Sequence, residues 1–237
     1  MSTESPLAFD SAVSRAIPWA ALLDELVRRH GVHTVLLYGS HARGDATPHS
    51  DVDVIAVRAT GPDARDLGTW NGLALDVHLV RDEGIATLVA KRASALRDAR
   101  VLRQRARLGE EILAGVRARL SGPPDAQPPG ELAALWAWGD KMRGRVASTD
   151  PVLAALHRAT LIVESLPAWA EVRRRWYFGG KAALRALPTE DPVMYAAWVE
   201  ASRPGAEVAA FLRLLDAVFD ERFGRPPSSG PVGDVPA

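Results

Sequence analysis

Residues 38–57 read YGSHARGDATPHSDVDVIAV and decide the fold of the N-terminal half. An apolar run ends at the pair Gly39 and Ser40, and Asp51 and Asp53 open the next apolar run. Side chains on a strand alternate between its two faces, so the two aspartates are expected on one face and the neighbouring valines on the other. Carboxylates held this close repel each other unless a divalent cation lies between them, and Mg²⁺ prefers such oxygen ligands.

The Gly-Ser pair is suited to bind an anion beside these carboxylates. Gly39 lets the backbone approach a phosphate closely, and Ser40 offers a hydroxyl and an amide N–H at the start of a short predicted helix, residues 41–44. The dipole of that helix favours negative charge at this end. Phosphate binding and metal binding are therefore expected to converge at the ends of two neighbouring strands.

A third predicted strand, residues 73–80 (LALDVHLV), supplies another carboxylate. Its apolar residues alternate with Asp76 and His78, which places Asp76 on the polar face. Asp76 is the natural third carboxylate, either as a metal ligand or as the general base for an attacking hydroxyl. The sequence leaves both roles open.

The Gly-Ser pair, the Asp-x-Asp pair and the aspartate on a following strand resemble the nucleotidyltransferase superfamily related to DNA polymerase β. GSHARGDATPHSDVDVIAV is most similar to the minimal nucleotidyltransferases and to antibiotic nucleotidyltransferases such as those that act on aminoglycosides. The domain-level resemblance covers residues 1–120. It implies a mixed sheet with flanking helices, two Mg²⁺ ions, an NTP donor that is expected to be ATP, and transfer of a nucleoside monophosphate to a hydroxyl with release of pyrophosphate.

This resemblance also assigns roles to residues of this chain. It implies that the three aspartates, Asp51, Asp53 and Asp76, are both the catalytic residues and the metal ligands. Gly39 and Ser40 would bind the nucleotide. Two basic residues are further candidates for nucleotide binding: Arg43, and Lys181 in the stretch RRRWYFGGKAALRAL, which loosely resembles a segment of two-domain members.

Composition sets the wider limits. The chain has 237 residues, 47% of them hydrophobic, with 29 basic and 29 acidic residues, so it is neither a disordered chain nor a strongly basic nucleic-acid binder. With no cysteine, it has no disulfide framework and no thiolate chemistry. Residues 1–10 lack an apolar signal segment, and no run reaches 18 apolar residues, so we expect a cytoplasmic protein without a membrane partner.

The predicted elements divide the chain in two. Residues 1–120 are expected to form an α/β (α+β) catalytic domain, 121–130 a Pro/Gly-rich linker, 131–223 an all-α helical bundle and 224–237 a disordered tail. Helical or strand periodicity then places the individual segments. The predicted helices are 19–30, 82–99, a segment ending at 120, 131–147, 152–166, 180–187 and 204–222, and the predicted strands are 33–38, 51–57, 73–80 and 100–102.

The resemblance implies that the helical half closes over the nucleotide and holds the acceptor. Trp136 and Trp138 lie about 200° apart around a helix, so they cannot share one face. The stripe of Leu135, Trp138 and Met142 is assigned to the core, which leaves Trp136, Asp140 and Arg143 for a cleft. In the alternative interpretation Trp136 packs against the first domain and Asp140 pairs with Arg143. Glu164, within an apolar run, is a further acceptor-binding candidate.

Three functions remain open from the sequence. The favoured one is nucleotidyl transfer to a small hydroxylated molecule, with an aminoglycoside-like antibiotic as one example. The second has a protein or tRNA acceptor, as in toxin–antitoxin systems, and the basic run at residues 91–119 supports it. The third is a non-catalytic nucleotide-binding regulator, against which the intact aspartates argue. The acceptor, the preferred NTP and the oligomeric state are left open.

Overall fold

Alternating apolar residues build a mixed five-stranded sheet in the order β3-β4-β2-β1-β5. In the computed structural model, which describes residues 11–225, β2 and β4 are parallel and the other neighbouring strands are antiparallel. The strands are β1 (Val32–Tyr38), β2 (Val52–Arg58), β3 (Ala64–Trp70), β4 (Leu73–Arg81) and β5 (Arg100–Arg103). The predicted mixed sheet is therefore confirmed.

Helices cover both faces of this sheet. Residues of α2, such as Leu22 and Leu26, share one core with Val35 and Leu37 of β1. The alternate residues of the strands pack on the other face against α4 and α5. The helices of this part are α1 (Ala12–Arg15), α2 (Trp19–His30), α3 (Gly39–Arg43), α4 (Ile85–Arg92) and α5 (Leu108–Leu120).

The described residues after α5 form helices and the segments that join them. Two of these helices begin at an aspartate that caps the N-terminus and is followed by proline: Asp150 accepts from the amides of Val152 and Leu153, and Asp191 accepts from that of Met194. Helices α6, α7 and α9 pack against α10. The helices are α6 (Pro129–Val146), α7 (Pro151–Val172), α8 (Gly180–Glu190), α9 (Pro192–Ala201) and α10 (Val208–Val218).

The chain divides into two compact units, Met1–Gly122 and Pro123–Ala237. The tail predicted at 224–237 lies outside the described residues except for Gly224 and Arg225. Within residues 11–225, no helix has the combination of length and apolar character that crossing a membrane requires.

Several predicted boundaries were wrong for physical reasons. Strand β3 was not predicted because it is an edge strand with mostly exposed residues and no apolar alternation. The helix predicted at 82–99 ends at Arg92, and a 3-10 turn, Asp82–Gly84, precedes it. Helix α7 continues through Pro167 because residues on both sides of the proline, such as Leu166 and Trp169, are buried.

The helices that follow also depart from the prediction. Helix α8 runs past its predicted end at residue 187 and includes Pro188. Helix α9 was not predicted, because prolines at 188, 192 and 204 were interpreted as breaks, whereas Pro192 occupies the first turn of a helix, where it is tolerated. Helix α10 is shorter than the predicted 204–222.

Candidate active site

Three carboxylates meet at one end of the sheet. Asp51, Asp53 and Asp76 each place one carboxylate oxygen within 4.8 Å of the others. The parallel register of β2 and β4 pairs Asp53 with Asp76, and Asp51 comes directly before β2. Asp76 is buried, whereas Asp51 is exposed and Asp53 is intermediate. The sheet thus brings all three predicted acidic residues together.

Gly39 is required here by the position of Asp53. Its backbone has a φ of +71°, which residues with a side chain rarely adopt. A Cβ atom at this position would lie 2.0 Å from Oδ2 of Asp53. Because Tyr38 pairs with Asp53 in the β1–β2 register, the chain turns into α3 directly against this carboxylate. The sequence predicted the glycine for phosphate approach, and the structure adds a second reason, the close packing of Asp53.

Helix α3 begins at Gly39, two residues earlier than the predicted helix. Ser40 is half-buried in its first turn, and its carbonyl accepts from the amide of Gly44 at 3.0 Å. Arg43 lies at the end of the helix, with its guanidinium 3.3 Å from the carboxylate of Asp45. The predicted nucleotide-binding residues Ser40 and Arg43 therefore share one short helix next to the carboxylates.

A buried histidine fixes this helix to the rest of the unit. His41 is 1% exposed, and its Nδ1 lies 2.9 Å from the hydroxyl of Ser14. The indole N–H of Trp19 donates to the carbonyl of the same serine at 2.9 Å. Burial lowers the pKa of His41, which favours the neutral ring. Sequence reasoning missed this support because its partners come from α1 and α2.

The structure adds one residue that sequence reasoning missed entirely, Arg65 of β3. Its Nε donates to Oδ1 of Asp76 at 2.8 Å, and its second terminal nitrogen donates to Oδ2 at 2.6 Å. The Asp76 side chain is 8% exposed and that of Arg65 is 54% exposed. On the other side, Nε2 of His78 lies 3.6 Å from Oδ1 of Asp76. No signal in the sequence pointed to Arg65, because its strand was not predicted.

Asp53 and Asp76, which are partners in the β2–β4 register, consequently differ in acidity. Burial and the charges of Asp51 and Asp76 raise the pKa of Asp53 to about 6. The bond from Arg65 instead holds the pKa of Asp76 below its usual value. Burial and the charge of Asp53 also raise the pKa of the neighbouring Tyr38 hydroxyl. The group therefore concentrates negative charge at Asp53, where a cation would relieve it.

These carboxylates fit a divalent metal ion. Three carboxylate oxygens within 4.8 Å of one another form the kind of donor set that hard cations such as Mg²⁺ prefer. The raised pKa of Asp53 reflects the same crowding of negative charge. The arrangement can also receive a phosphate, because Ser40 lies in the turn that follows β1.

Residues 20–84 match the family model of the nucleotidyltransferase domain. This segment of the first unit is therefore similar to nucleotidyltransferase domains. The matched segment includes the Gly-Ser pair and all three aspartates, and the domain implies a nucleotide substrate and a transferase. The chain is also similar to a nucleotidyltransferase-like protein from Exiguobacterium sibiricum 255-15 of known crystal structure, with 12% identity, a TM-score of 0.47, and coverage of 90% of this chain and 74% of that one. Among curated proteins, none matches this chain.

The predicted assignment of the α6 faces was wrong. Trp136 is 4% exposed and packs in the core, with its ring centroid 5.3 Å from that of Phe219. Met142 is buried as predicted, but Leu135 and Trp138 are only partly buried. The reason is that Phe219, which follows α10, contacts both tryptophan rings, and its position could not be inferred from α6 alone.

The charged residues of α6 also have other partners than expected. Asp140 pairs with Arg225, and Arg143 pairs with Asp216 at 2.7 Å. These residues and Trp136 line a cavity of about 360 Å³ within the helical unit. Its lining comprises four acidic residues, two arginines, two aromatic rings and one glycine: Trp136, Gly139, Asp140, Arg143, Asp216, Phe219, Asp220, Glu221 and Arg225.

The two remaining candidates are both exposed. Lys181 lies in the first turn of α8, which begins at Gly180. Glu164 lies on α7 at an exposed position within its apolar run. The pKa of the Tyr177 hydroxyl is raised mainly by the burial of that tyrosine and also by the charge of Glu164. Neither residue belongs to the carboxylate group of the first unit.

Proposed function

We propose that this chain is a magnesium-dependent nucleotidyltransferase that moves a nucleoside monophosphate from an NTP to a hydroxyl of a small molecule. The observation that carries the proposal is the meeting of three carboxylates within 4.8 Å, inside a segment that matches the nucleotidyltransferase domain. In such a transfer the acceptor hydroxyl loses its proton to solvent, its oxygen bonds to the α-phosphorus, and the bond from that phosphorus to the bridging oxygen breaks. Pyrophosphate leaves with the bonding electron pair.

The acidic residues have distinct parts in this proposal. Asp51 and Asp53 would hold the ion that accompanies the nucleotide, with Asp53 central because it faces both other carboxylates. When bound, Mg²⁺ neutralises charge on the transferring phosphoryl group. Asp76, which Arg65 keeps ionised, is a weak base, but its ionised carboxylate is the form that ligates a metal ion. This acidity supports the role of ligand over that of proton acceptor.

The first unit offers two side chains that would hold the nucleotide. In the first unit Ser40 offers its hydroxyl, and Arg43 offers a positive charge whose partner, Asp45, lies 3.3 Å away. Gly39 keeps the turn close to the carboxylates. Lys181, exposed at the start of α8, is the proposed triphosphate contact of the helical unit. ATP is the expected donor.

The cavity of the helical unit supports a small acceptor. Asp140 offers a carboxylate and Trp136 an aromatic ring, and such a lining suits a hydroxylated or cationic molecule. Glu164 is a further proposed acceptor contact, from an exposed position on α7.

A macromolecular acceptor is less well supported, because parts of the basic run are paired internally. Arg97 pairs with Asp98, Arg105 with Asp82, and Arg107 with Glu110, at 2.9, 2.8 and 2.8 Å. These arginines lose part of the charge that would attract RNA.

The test is to incubate the protein with Mg²⁺ and each labelled NTP in the presence of aminoglycosides, lincosamides, tRNA or proteins, and to follow the label. Labelled small molecule, with no labelling by the Asp53→Ala variant, is the expected result. Asp24→Asn, which changes an exposed carboxylate of α2, serves as the matched control with normal labelling. Label on tRNA or protein alone would favour the second function. Nucleotide binding without transfer to any acceptor would favour the regulator.

A further inference from the structure

The ion pair between Arg65 and Asp76 joins the edge strand β3 to β4 beside the three carboxylates. The guanidinium makes two bonds, one to each oxygen of the same carboxylate, at 2.8 and 2.6 Å. This two-point geometry is the strong and specific form of an arginine–carboxylate pair. Arg65 therefore engages both oxygens of the third carboxylate.

A metal ion and this guanidinium compete for the same oxygens. Asp76 has one oxygen within 4.8 Å of the carboxylates of Asp51 and Asp53, so an ion shared by all three would need it. Each oxygen already accepts a charge-assisted hydrogen bond, which would have to be broken or shared. Arg43, another arginine near the group, instead lies against Asp45.

Exposure decides which partner can move. The Asp76 side chain is 8% exposed and sits in the middle of β4, so the fold holds it in place. The Arg65 side chain is 54% exposed and projects from the edge strand. A long, half-exposed arginine can turn into solvent at little cost in packing, while a buried aspartate on a paired strand cannot.

We propose that Arg65 acts as an internal counter-ion that closes Asp76 to metal in the free protein. The inference rests on the proposed function only in taking the three aspartates as metal ligands. A first divalent ion then binds through Asp51 and Asp53, and Asp76 joins the metal site only after Arg65 turns away. Arg65 is thus a positioning residue that sets the order in which the carboxylates are used.

The chain contains a matched control for the charge of Arg65. Arg92 also acts on Asp76 through its charge, but its guanidinium contacts Nε2 of His78 at 3.3 Å and not the carboxylate. Arg92→Gln therefore removes a nearby positive charge and leaves the two-point ion pair intact. Arg65→Gln removes both the charge and the contact. The difference between the two variants isolates the blocking contact.

The experiment measures Mn²⁺ binding by the full chain without nucleotide, from the free Mn²⁺ signal in electron paramagnetic resonance. We expect Arg65→Gln to bind Mn²⁺ about fivefold more tightly than the unmodified protein, as befits the loss of a well-formed, partly exposed ion pair. Arg92→Gln should change the affinity less than about twofold. Adding Asp76→Asn to Arg65→Gln should abolish the gain, because the freed carboxylate would then be missing.

Three results would overturn the proposal. They are equal affinities for Arg65→Gln and the unmodified protein, equal gains for the two arginine variants, and a gain that survives loss of Asp76. Arg65→Lys, which keeps the charge but cannot form the two-point contact, should give an intermediate affinity and guards against a folding defect in the glutamine variant.

The same titration separates this proposal from the proposed function. If the protein and all variants fail to bind Mn²⁺, the assignment of the three aspartates as metal ligands fails, and the role of Arg65 fails with it. If Mn²⁺ binds with the expected pattern but no acceptor is labelled, the role of Arg65 stands and nucleotidyl transfer fails.

Discussion

Strands β2 and β4 carry carboxylates at matching positions but in opposite electrostatic surroundings. Asp53 and Asp76 are paired in the parallel register, so they occupy matching positions on adjacent strands. Asp53 lies between two other negative charges, and its pKa rises to about 6. Asp76 is bonded to Arg65, and its pKa falls. One additional strand at the edge of the sheet is enough to reverse the direction of the shift.

This difference indicates that metal binding has different energetic consequences at Asp53 and at Asp76. Asp53 carries unfavourable charge in the free protein, and a bound cation would relieve it, so metal binding and relief of repulsion are coupled there. Asp76 already has a cation of its own, so its use by metal costs an ion pair. Substitutions at and beside Asp53 and Asp76 test this contrast.

Asp53→Ala should have the largest effect. It removes the carboxylate that faces both others, and we expect nucleotidyl transfer to fall at least about 10³-fold, since metal stabilisation of the transferring group amounts to several kcal/mol. Folding should remain intact, as circular dichroism can check. The measurement is the transfer of labelled nucleoside monophosphate by the purified variant. Activity close to that of the unmodified protein would contradict the metal assignment.

Asp76→Asn should affect the rate more than binding of the nucleotide. The residue is proposed to act on the attacking hydroxyl as a metal ligand, so we expect kcat to fall about 10²-fold while the Kd for NTP changes less than about threefold. Single-turnover kinetics and equilibrium nucleotide binding measure the two quantities separately. A variant that lost NTP binding but kept its turnover number would show that Asp76 serves the nucleotide instead.

Gly39→Ala should have a smaller effect on activity by displacing Asp53. The new Cβ would lie 2.0 Å from Oδ2 of that carboxylate, in a residue with positive φ. We expect transfer to fall about tenfold and stability by about 1–2 kcal/mol. Gly31→Ala is the matched control: it has a φ of +65° and no atom within 4 Å of the new Cβ, so it carries backbone strain alone. Equal losses of activity in the two variants would rule out the Asp53 contact as the cause.

The sequence predicted the positions of Asp53 and Asp76 but not that of Arg65, which distinguishes them. The period-two alternation of β2 and β4 is local, so it correctly placed Asp53 and Asp76 on the opposite face from the neighbouring apolar residues Val52, Val54, Leu75 and Val77. Arg65 could not be found in this way. Strand β3 is an edge strand whose exposed residues bear no apolar alternation, and its pairing with β4 comes from tertiary contacts.

The helical unit gives the same lesson at longer range. Helical geometry predicted that Trp136 and Trp138 meet different surroundings, but both rings pack against Phe219. Phe219 approaches from the end of α10 and would meet a Cβ at Gly139 at 2.5 Å. The glycine on α6 marks where this ring packs, and the sequence offered no way to pair the two.

The smallest expected effect concerns stability and its dependence on pH. In the native protein Asp53 has a pKa of about 6, above the ordinary aspartate value of 3.8. Between these two values the native state keeps a proton that the unfolded state has lost. Its contribution to stability therefore falls as pH rises from about 4 to about 6, and the full penalty is present at neutral pH.

Asp53→Asn removes this penalty because the amide stays neutral at every pH. With metal chelated by EDTA, we expect the variant to be about 1–2 kcal/mol more stable than the unmodified protein at pH 7.5, after allowance for screening by solvent, and the gain to shrink towards zero near pH 4. Urea unfolding at the two pH values measures the difference. The control is Asp24→Asn, which changes an exposed carboxylate on α2 and should not reproduce the gain in stability. Saturating Mg²⁺ should reverse the order, since it stabilises only the protein that retains the carboxylate. A gain in stability that is the same at both pH values would mean that packing, and not the charge of Asp53, distinguishes the two strands.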